Sequence, residues 1–185
     1  MKTINVPARD QVSPESQLMF DQIKSKFGMV PNLYATVGYS STALKAFLQF
    51  DDTLNHGMFT DKEREAIALS VSQVNECNYC LAAHTMTSTM KGITREETLS
   101  MRRAKVQDPK LNALVQLAKS IVENTGKADG SLLENFFSEG YDEMALMELI
   151  GLVTLRIFTN YVFAITAIPL DFPAAETLNA IAETI

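Results

Sequence analysis

The sequence predicts an all-α protein that folds as a single domain over residues 1–185. Signals that begin and end helices recur along the whole chain, and no segment alternates apolar and polar residues with the period of two that indicates a strand. Of the 185 residues, 46% are hydrophobic and 21% are charged. This length and composition are ordinary for a globular protein with a substantial core.

An extended or irregular arm over residues 1–12 precedes the first three predicted helices. Serine followed by proline is typical of a helix start, because the serine side chain caps the helix and proline suits its first turn. Glycine is typical of the residue just past a helix end. These signals predict helices from Ser13 to Gly28, from Pro31 to near Gly38, and from Ser40 to Gly57.

Two capping boxes begin later helices. In each box a threonine is followed three residues later by a glutamate, and the two side chains satisfy each other's backbone amides. The box Thr60–Glu63 begins a helix that runs through Val74, and the box Thr94–Glu97 begins another. Between these two helices we expect a break at Asn75, which would place Cys77 in the first turn of a further helix that closes at Gly92.

Four helices are predicted in the rest of the chain, beginning near Pro109, Leu132, Tyr141 and Pro173. The third of these is apolar from Met144 to Leu170. Glu148, Arg156, Asn160 and Thr166 interrupt that stretch, and such groups are costly in lipid. We therefore interpret it as a buried core helix rather than a membrane span, with its aromatic residues in the core.

A shift of the sequence by 82 positions aligns two of these segments. Asn78 and Tyr79 then fall on Asn160 and Tyr161. This match suggests an old duplication of a helical hairpin, with a motif-bearing half at about residues 13–105 and a degenerate half at about residues 108–185. In the second half, threonine and valine occupy the positions of the cysteines and the histidine.

The charge balance disfavours two classes of partner. The net charge is −6, and no run of basic residues occurs. Nucleic acids and anionic membrane surfaces both favour a basic face, so we expect neither as a partner.

The N-terminal residues contain no apolar signal core, so we expect a cytoplasmic protein. In a cytoplasmic protein, a close pair of cysteines is typically redox-active or metal-binding.

The chemistry of the chain is concentrated in Cys77, Cys80 and His84. On a helix these positions share one face, and Cα atoms three residues apart lie within the range that a disulfide requires. The helix start stabilises a thiolate, and His84 can exchange a proton with it. Glu65, on the preceding helix, is the best candidate for a carboxylate that carries protons, since burial would raise its pKa toward neutrality. Glu76 is the second candidate.

Such a pair can reduce a peroxide. A thiolate attacks the terminal peroxide oxygen and becomes a sulfenic acid. The second thiol condenses with the sulfenic acid, which releases water and leaves a disulfide. A reductant then restores the dithiol.

With its spacing Glu-x11-Cys-x-x-Cys-x-x-x-His, the sequence resembles the AhpD-like alkylhydroperoxidases of the carboxymuconolactone decarboxylase superfamily. The resemblance extends to Met29–Leu33 and spreads over about residues 15–175, with its strongest part at 60–92. It implies an AhpD-like helical fold, no bound cofactor, a homotrimer or homohexamer, and a small hydroperoxide as substrate. A dithiol reductant, such as a lipoyl or thioredoxin-like protein, would serve as partner. It also implies that Cys80 forms the sulfenic acid, that Cys77 is its proton donor and resolving partner, and that Glu65 and His84 complete the relay.

Other interpretations of the same residues remain open. The cysteines could exchange disulfides with a protein, act as a redox sensor in an oligomer, or simply be buried apolar residues. Together with His84 they could bind zinc, with His56 as a fourth ligand if the fold brings it close. Lactone decarboxylation is a further option, but the decarboxylase branch of the superfamily generally lacks the cysteine pair.

Overall fold

A computed structural model describes residues 4–178, which contain nine α-helices, one short 3-10 turn and no strand. This confirms the predicted fold class. In chain order the helices are α1 (Pro14–Phe27), α2 (Asn32–Val37), α3 (Ser41–Asn55), α4 (Asp61–Val74), α5 (Asn78–Met90), α6 (Arg95–Arg102), α7 (Pro109–Glu123), α8 (Gly130–Ser138) and α9 (Glu143–Thr166). The 3-10 turn, Arg9–Gln11, lies in the otherwise irregular N-terminal arm.

The helix ends follow the punctuation in the sequence. The Ser13 hydroxyl accepts a hydrogen bond from the amide of Ser16 at 3.3 Å, and Gly28 ends α1 with a φ of 78°. Such a left-handed residue is the conformation that glycine adopts without strain. Both predicted capping boxes are formed, at the starts of α4 and α6. The start of α8 lies two residues earlier than predicted, because the Asp129 side chain caps it.

Helix α4 is the central element of the fold. It packs against α5, α6, α7 and α9. All residues from Glu65 to Ser72 are buried, and Ala66, Ile67 and Leu69 are fully so. A second cluster joins α1, α2 and α3 to the start of α5. The cysteine pair belongs to this second cluster, at its contact with α9.

The break between α4 and α5 differs from the prediction by one residue. Asn75 ends α4, Glu76 has a φ of 51°, and Cys77 is the N-cap of α5 rather than a member of its first turn. The chain therefore turns through a left-handed residue immediately before the motif. That turn places the Cys77 side chain over the first amides of α5.

Helix α9 is buried on one face only, so the prediction of a buried core helix is wrong in part. Leu149, Leu152 and Val153 are buried, whereas Phe158 and Tyr161 are 38% and 57% exposed. By length and composition α9 could cross a membrane, but the core helices of soluble proteins can be equally long and apolar. The exposed apolar residues lie opposite the buried face.

The hairpin duplication is not confirmed. The counterpart of Asn75, where α4 ends, is Ile157, which lies inside the uninterrupted helix α9. The segment around Ile157 lacks the turn-forming Asn75-Glu76 pair, so nothing there stops the helix. The division into a motif-bearing and a degenerate half therefore stays a prediction.

The predicted terminal helix at Pro173 is wrong for residues 173–177, which form no helix. The side chain of Glu176 forms an ion pair with Arg95, and its carbonyl accepts a hydrogen bond from Arg102 at 2.8 Å. These contacts hold the segment against α6 in a non-helical conformation. The end of the predicted helix lies outside the described residues.

Candidate active site

Cys77 and Cys80 are joined as a disulfide, with their Cα atoms 5.3 Å apart. Both residues are buried, with exposed fractions of 2% and 4%. The spacing at a helix start therefore permits the bond, as the sequence predicted. The pair lies beneath apolar side chains of α2, α9 and the segment that follows α9.

A network of amide and hydroxyl groups fixes the turn that carries Cys77. The Cys77 amide donates to the carbonyl of Ser72 at 2.9 Å. Asn75 Nδ2 donates to Asn160 Oδ1 at 2.9 Å, and Asn160 Nδ2 donates to Ser72 Oγ at 3.3 Å. Asn160 is 1% exposed. Buried side-chain networks of this kind hold a turn in one conformation, so α9 fixes the position of the disulfide.

The two sulfur atoms have different surroundings. Cys77 Sγ caps α5 and accepts a hydrogen bond from the Cys80 amide at 3.3 Å. An N-cap sulfur at the positive end of a helix is stabilised as a thiolate. Cys80 Sγ lies 3.9 Å from the hydroxyl oxygen of Thr159, which itself donates to the Arg156 carbonyl at 2.9 Å.

His84 lies one helical turn beyond Cys80, on the same face of α5. Its Nδ1 atom is 2.8 Å from Glu65 Oε2. The other carboxylate oxygen of Glu65 accepts a hydrogen bond from Lys91 Nζ at 2.9 Å. The structure thus brings Glu65 and His84 together and adds Lys91. The Glu65 side chain is 7% exposed and that of His84 is 18% exposed.

The expectation that the pKa of Glu65 is raised is wrong. Burial does favour the neutral acid, but the charge and hydrogen bond of His84 and the contact with Lys91 outweigh it, and the pKa of Glu65 falls to about 2. Lys91 and, when its ring is protonated, His84 are cationic partners that favour the ionised carboxylate. Glu65 is therefore an anion at neutral pH, and it orients His84 instead of carrying a proton.

Tyr79 lies between the cysteines in sequence and belongs to the same buried cluster. Its hydroxyl donates to the carboxylate of Asp171 and accepts a hydrogen bond from the Leu33 amide at 3.2 Å. Its ring packs against Phe163 and Phe172. Burial and the Asp171 carboxylate raise the pKa of Tyr79, so the phenol remains a donor. Tyr79 thereby joins the motif to α2 and to the segment after α9.

Two side chains considered in the sequence are not among these contacts. Glu76 directly precedes Cys77, but it is exposed. His56 lies at the end of α3, where its Nδ1 atom is 2.7 Å from the Asp52 carbonyl. Within residues 4–178, no three His, Cys, Asp or Glu side chains converge as metal ligands. The zinc alternative therefore has no ligand set among these residues.

Sequence reasoning missed Lys91, Thr159 and Asp171. Lys91 follows His84 by seven residues, a spacing that puts both on one helix face and could have revealed it. Thr159 appeared only as the counterpart of Cys77 in the shifted alignment. No local signal points to Asp171, because its contact with Tyr79 depends on how the chain folds back after α9.

The comparisons with known proteins agree with this architecture. Residues 42–120 match the carboxymuconolactone decarboxylase family. Alkyl hydroperoxide reductase AhpD of Rhodococcus erythropolis is 34% identical over 108 residues, which cover 56% of this chain. The match spans 59% of that relative's length.

Two solved structures share the fold. The first, described as an alkylhydroperoxidase AhpD core and an uncharacterized peroxidase-related protein, is from Ralstonia eutropha JMP134. It is 18% identical, with a TM-score of 0.80 over 92% of this chain and 94% of that one. The second, the debrominase Bmp8, is 17% identical, with a TM-score of 0.78 over 92% of this chain and 93% of that one. The fold therefore occurs in proteins with different named activities. The activity of this chain must be inferred from the residues of its site and not from its fold.

Proposed function

Since residues 42–120 belong to the carboxymuconolactone decarboxylase family, and since they hold a cysteine pair beside an ion-paired histidine, we propose that the protein is a thiol-dependent peroxidase. The observation that carries the proposal is the position of the Cys77–Cys80 disulfide at the start of α5, one turn before His84. The relative named AhpD, an alkyl hydroperoxide reductase, supports the same chemistry.

The reaction begins with the reduced pair. His84 takes the proton of the Cys80 thiol, and the resulting thiolate attacks the terminal oxygen of a hydroperoxide. The O–O bond breaks, the alkoxide takes the proton back from His84 and leaves as an alcohol, and Cys80 becomes a sulfenic acid. The Cys77 thiol then attacks that sulfur, which releases water and forms the disulfide.

A dithiol must complete the cycle. It reduces the Cys77–Cys80 disulfide by thiol–disulfide exchange and is itself oxidised to a disulfide. One hydroperoxide and one dithiol are thus converted into an alcohol, water and an oxidised dithiol. A lipoyl or thioredoxin-like protein of the cytoplasm has the required chemistry, and we propose such a partner.

A second candidate, thiol–disulfide exchange with a protein substrate, is favoured by the surroundings of Cys77. Its sulfur accepts the Cys80 amide at the helix start, which makes Cys77 a stabilised thiolate in its own right. Both sulfur atoms are buried, so a protein disulfide, like a thioredoxin-like reductant, would need the segment above the pair to move before it could reach them. A small peroxide has less need of an open surface.

Steady-state turnover separates these functions. With excess dithiothreitol, the wild type should consume cumene hydroperoxide. Cys80→Ser should abolish turnover, because no sulfenic acid can form. Cys77→Ser should form no intramolecular disulfide and should turn over more slowly, because dithiothreitol must then reduce the Cys80 sulfenic acid directly. Glu65→Gln should slow turnover by up to about a hundredfold, the size of loss that a misplaced catalytic group can cause.

His56→Gln provides a matched control, since it removes the other histidine of the chain at a site away from the cysteines. Its turnover should equal that of the wild type. Peroxide turnover that persists in Cys80→Ser would reject the proposal. An inactive wild type that nonetheless oxidises or isomerises a protein dithiol would favour the second candidate.

A further inference from the structure

We propose that Lys91 is a positioning residue that keeps Glu65 ionised and so leaves His84 free to take up and release the proton of the cysteine pair. The role of this proton in peroxide reduction rests on the peroxidase function proposed above. The effect of Lys91 on Glu65 and His84 can be tested whether or not the protein is a peroxidase.

Glu65 divides its two oxygen atoms between two partners on α5. Oε2 faces His84 Nδ1 at 2.8 Å, and Oε1 accepts from Lys91 Nζ at 2.9 Å. Lys91 is the C-cap residue of α5, about two turns beyond His84. The carboxylate is buried, whereas the Lys91 side chain is 32% exposed. The ammonium thus closes the solvent side of an otherwise enclosed carboxylate.

A buried carboxylate must be paired with a positive charge. Lys91 supplies one, so the Glu65 carboxylate stays balanced whether the His84 ring is neutral or protonated. Without Lys91, a protonated His84 would be the remaining direct partner of Glu65. The histidine would then hold its proton more tightly, and it would be a poorer acceptor of the thiol proton.

The other charged side chains around α4 have partners of their own. Asp61 binds both Lys91, at 3.3 Å, and Arg64. On the helices packed against α4, the ion pairs of the described residues join Arg95 to Glu96 and Glu176, Glu97 to Lys62, Arg156 to Asp51, and Lys119 to Glu123. Among residues 4–178, Lys91 is therefore the one ammonium that binds Glu65 directly. Its removal leaves no described lysine or arginine in that place.

The test is a pH titration of His84 by NMR. In a His56→Gln background the chain retains one histidine, so its ring signals need no further assignment. We expect Lys91→Met to move the titration midpoint of His84 upward by about one pH unit, the size of shift that a nearby charge produces. Lys91→Arg keeps the charge and should restore the original midpoint. Lys91→Gln keeps a hydrogen-bond donor but not the charge, so it should shift the midpoint of His84 as Lys91→Met does. If Lys91→Met does not fold, Lys91→Gln takes its place in the test.

Lys62→Met is the matched control, since it removes the same charge from a solvent-exposed pair on α4. Its His84 midpoint should equal that of the parent. An unchanged midpoint in Lys91→Met, or an equal shift in Lys62→Met, would overturn the proposal.

Peroxide assays on the same variants separate this inference from the proposed function. If the protein is a peroxidase, the acidic limb of the pH–rate profile should move upward with the His84 midpoint in Lys91→Met. A protein without peroxide turnover whose His84 midpoint still moves would reject the peroxidase function and support the role of Lys91. Turnover with an unmoved acidic limb would reject that role.

Discussion

At the scale of single residues, Glu65 shows that the partners of a buried carboxylate decide its charge. The sequence indicated that Glu65 faces inward, and the structure confirms its burial. Its two contacts with α5 then lower its pKa to about 2, although burial alone would raise it. The spacing between Glu65 and the cysteines predicted which residues meet. It could not predict the protonation state, which depends on both His84 and Lys91.

The lowered pKa of Glu65 has a consequence for stability. A group whose pKa is lower in the folded than in the unfolded protein stabilises the fold above its unfolded pKa, here about 4.5, and loses that contribution as the pH falls toward 2. Wild type should therefore exceed Glu65→Gln in free energy of unfolding by more at pH 5 than at pH 2.5. Urea denaturation at both pH values measures this difference.

Glu96→Gln is the control for that measurement, because Glu96 is a largely exposed residue on α6. Its difference from the wild type should be small at both pH values. A Glu65→Gln deficit that is equal at pH 5 and pH 2.5 would contradict the lowered pKa.

At the scale of elements, the segment after α9 covers the start of α5. Ala167 ends α9 in a left-handed conformation, with a φ of 48°, and the chain then passes over Tyr79. Asp171 accepts hydrogen bonds from the Tyr79 hydroxyl and from the Asn32 amide. Three elements, α2, α5 and this segment, thus meet above the disulfide.

Tyr79→Phe tests that cover. The change leaves the buried Leu33 amide without its acceptor and removes the bond to Asp171, so we expect the free energy of unfolding to fall by about 1–3 kcal/mol. The disulfide should also react faster with a water-soluble phosphine reductant, because the segment is held less firmly. Chemical denaturation and the rate of thiol release measure the two effects.

Tyr39→Phe is the matched control, since the Tyr39 hydroxyl donates to the Asn5 carbonyl at an exposed site. It should change neither stability nor reduction rate appreciably. A reduction rate in Tyr79→Phe equal to that of the wild type would show that the segment does not limit access to the disulfide.

The elements were predicted unevenly, for physical reasons. A helix cap depends on contacts within a few residues, so Ser13, Thr60 and Thr94 correctly predicted where their helices begin. The segment after Pro173 depends on its ion pair with Arg95, which lies about eighty residues away in sequence, and no local pattern reports such a contact. The same holds for Thr159 beside Cys80. The motif could be recognised from the sequence because its members are close along the chain. Glu65 lies on α4, and the cysteines and His84 lie on α5 or at its start.

At the scale of the whole molecule, α9 carries an exposed apolar face. Met147, Ile150, Phe158, Tyr161 and Ile165 are exposed at helical spacing, and none is charged. Side chains of this size, exposed to this degree, present on the order of 500 Å² of surface. A standard interface buries about 800 Å² per partner. We propose that a second copy of this chain covers the face, within the homotrimer or homohexamer that the sequence resemblance implied.

The charges near this face support that occupant over a membrane surface. Glu148 and Arg156 of α9 point to partners within the chain, the Met58 amide and Asp51. An uncharged face lets two acidic copies meet without direct repulsion, whereas the net charge of −6 disfavours an anionic bilayer.

Tyr161→Glu should therefore lower the oligomeric mass in analytical ultracentrifugation, because it places a charge in the interface. Leu18→Glu, a comparably exposed change on α1, should leave the mass unchanged. A wild-type monomer, or flotation of the wild type with lipid vesicles, would contradict the proposed interface.

The most direct test of the central claim is a single turnover of the reduced protein. One equivalent of cumene hydroperoxide is added in the absence of any other reductant, and free thiols, cumyl alcohol and the cysteine state are then measured by thiol titration, chromatography and mass spectrometry. We expect one cumyl alcohol, the loss of both thiols and a Cys77–Cys80 disulfide for each peroxide consumed. Two free thiols that persist beside unreacted peroxide would contradict it.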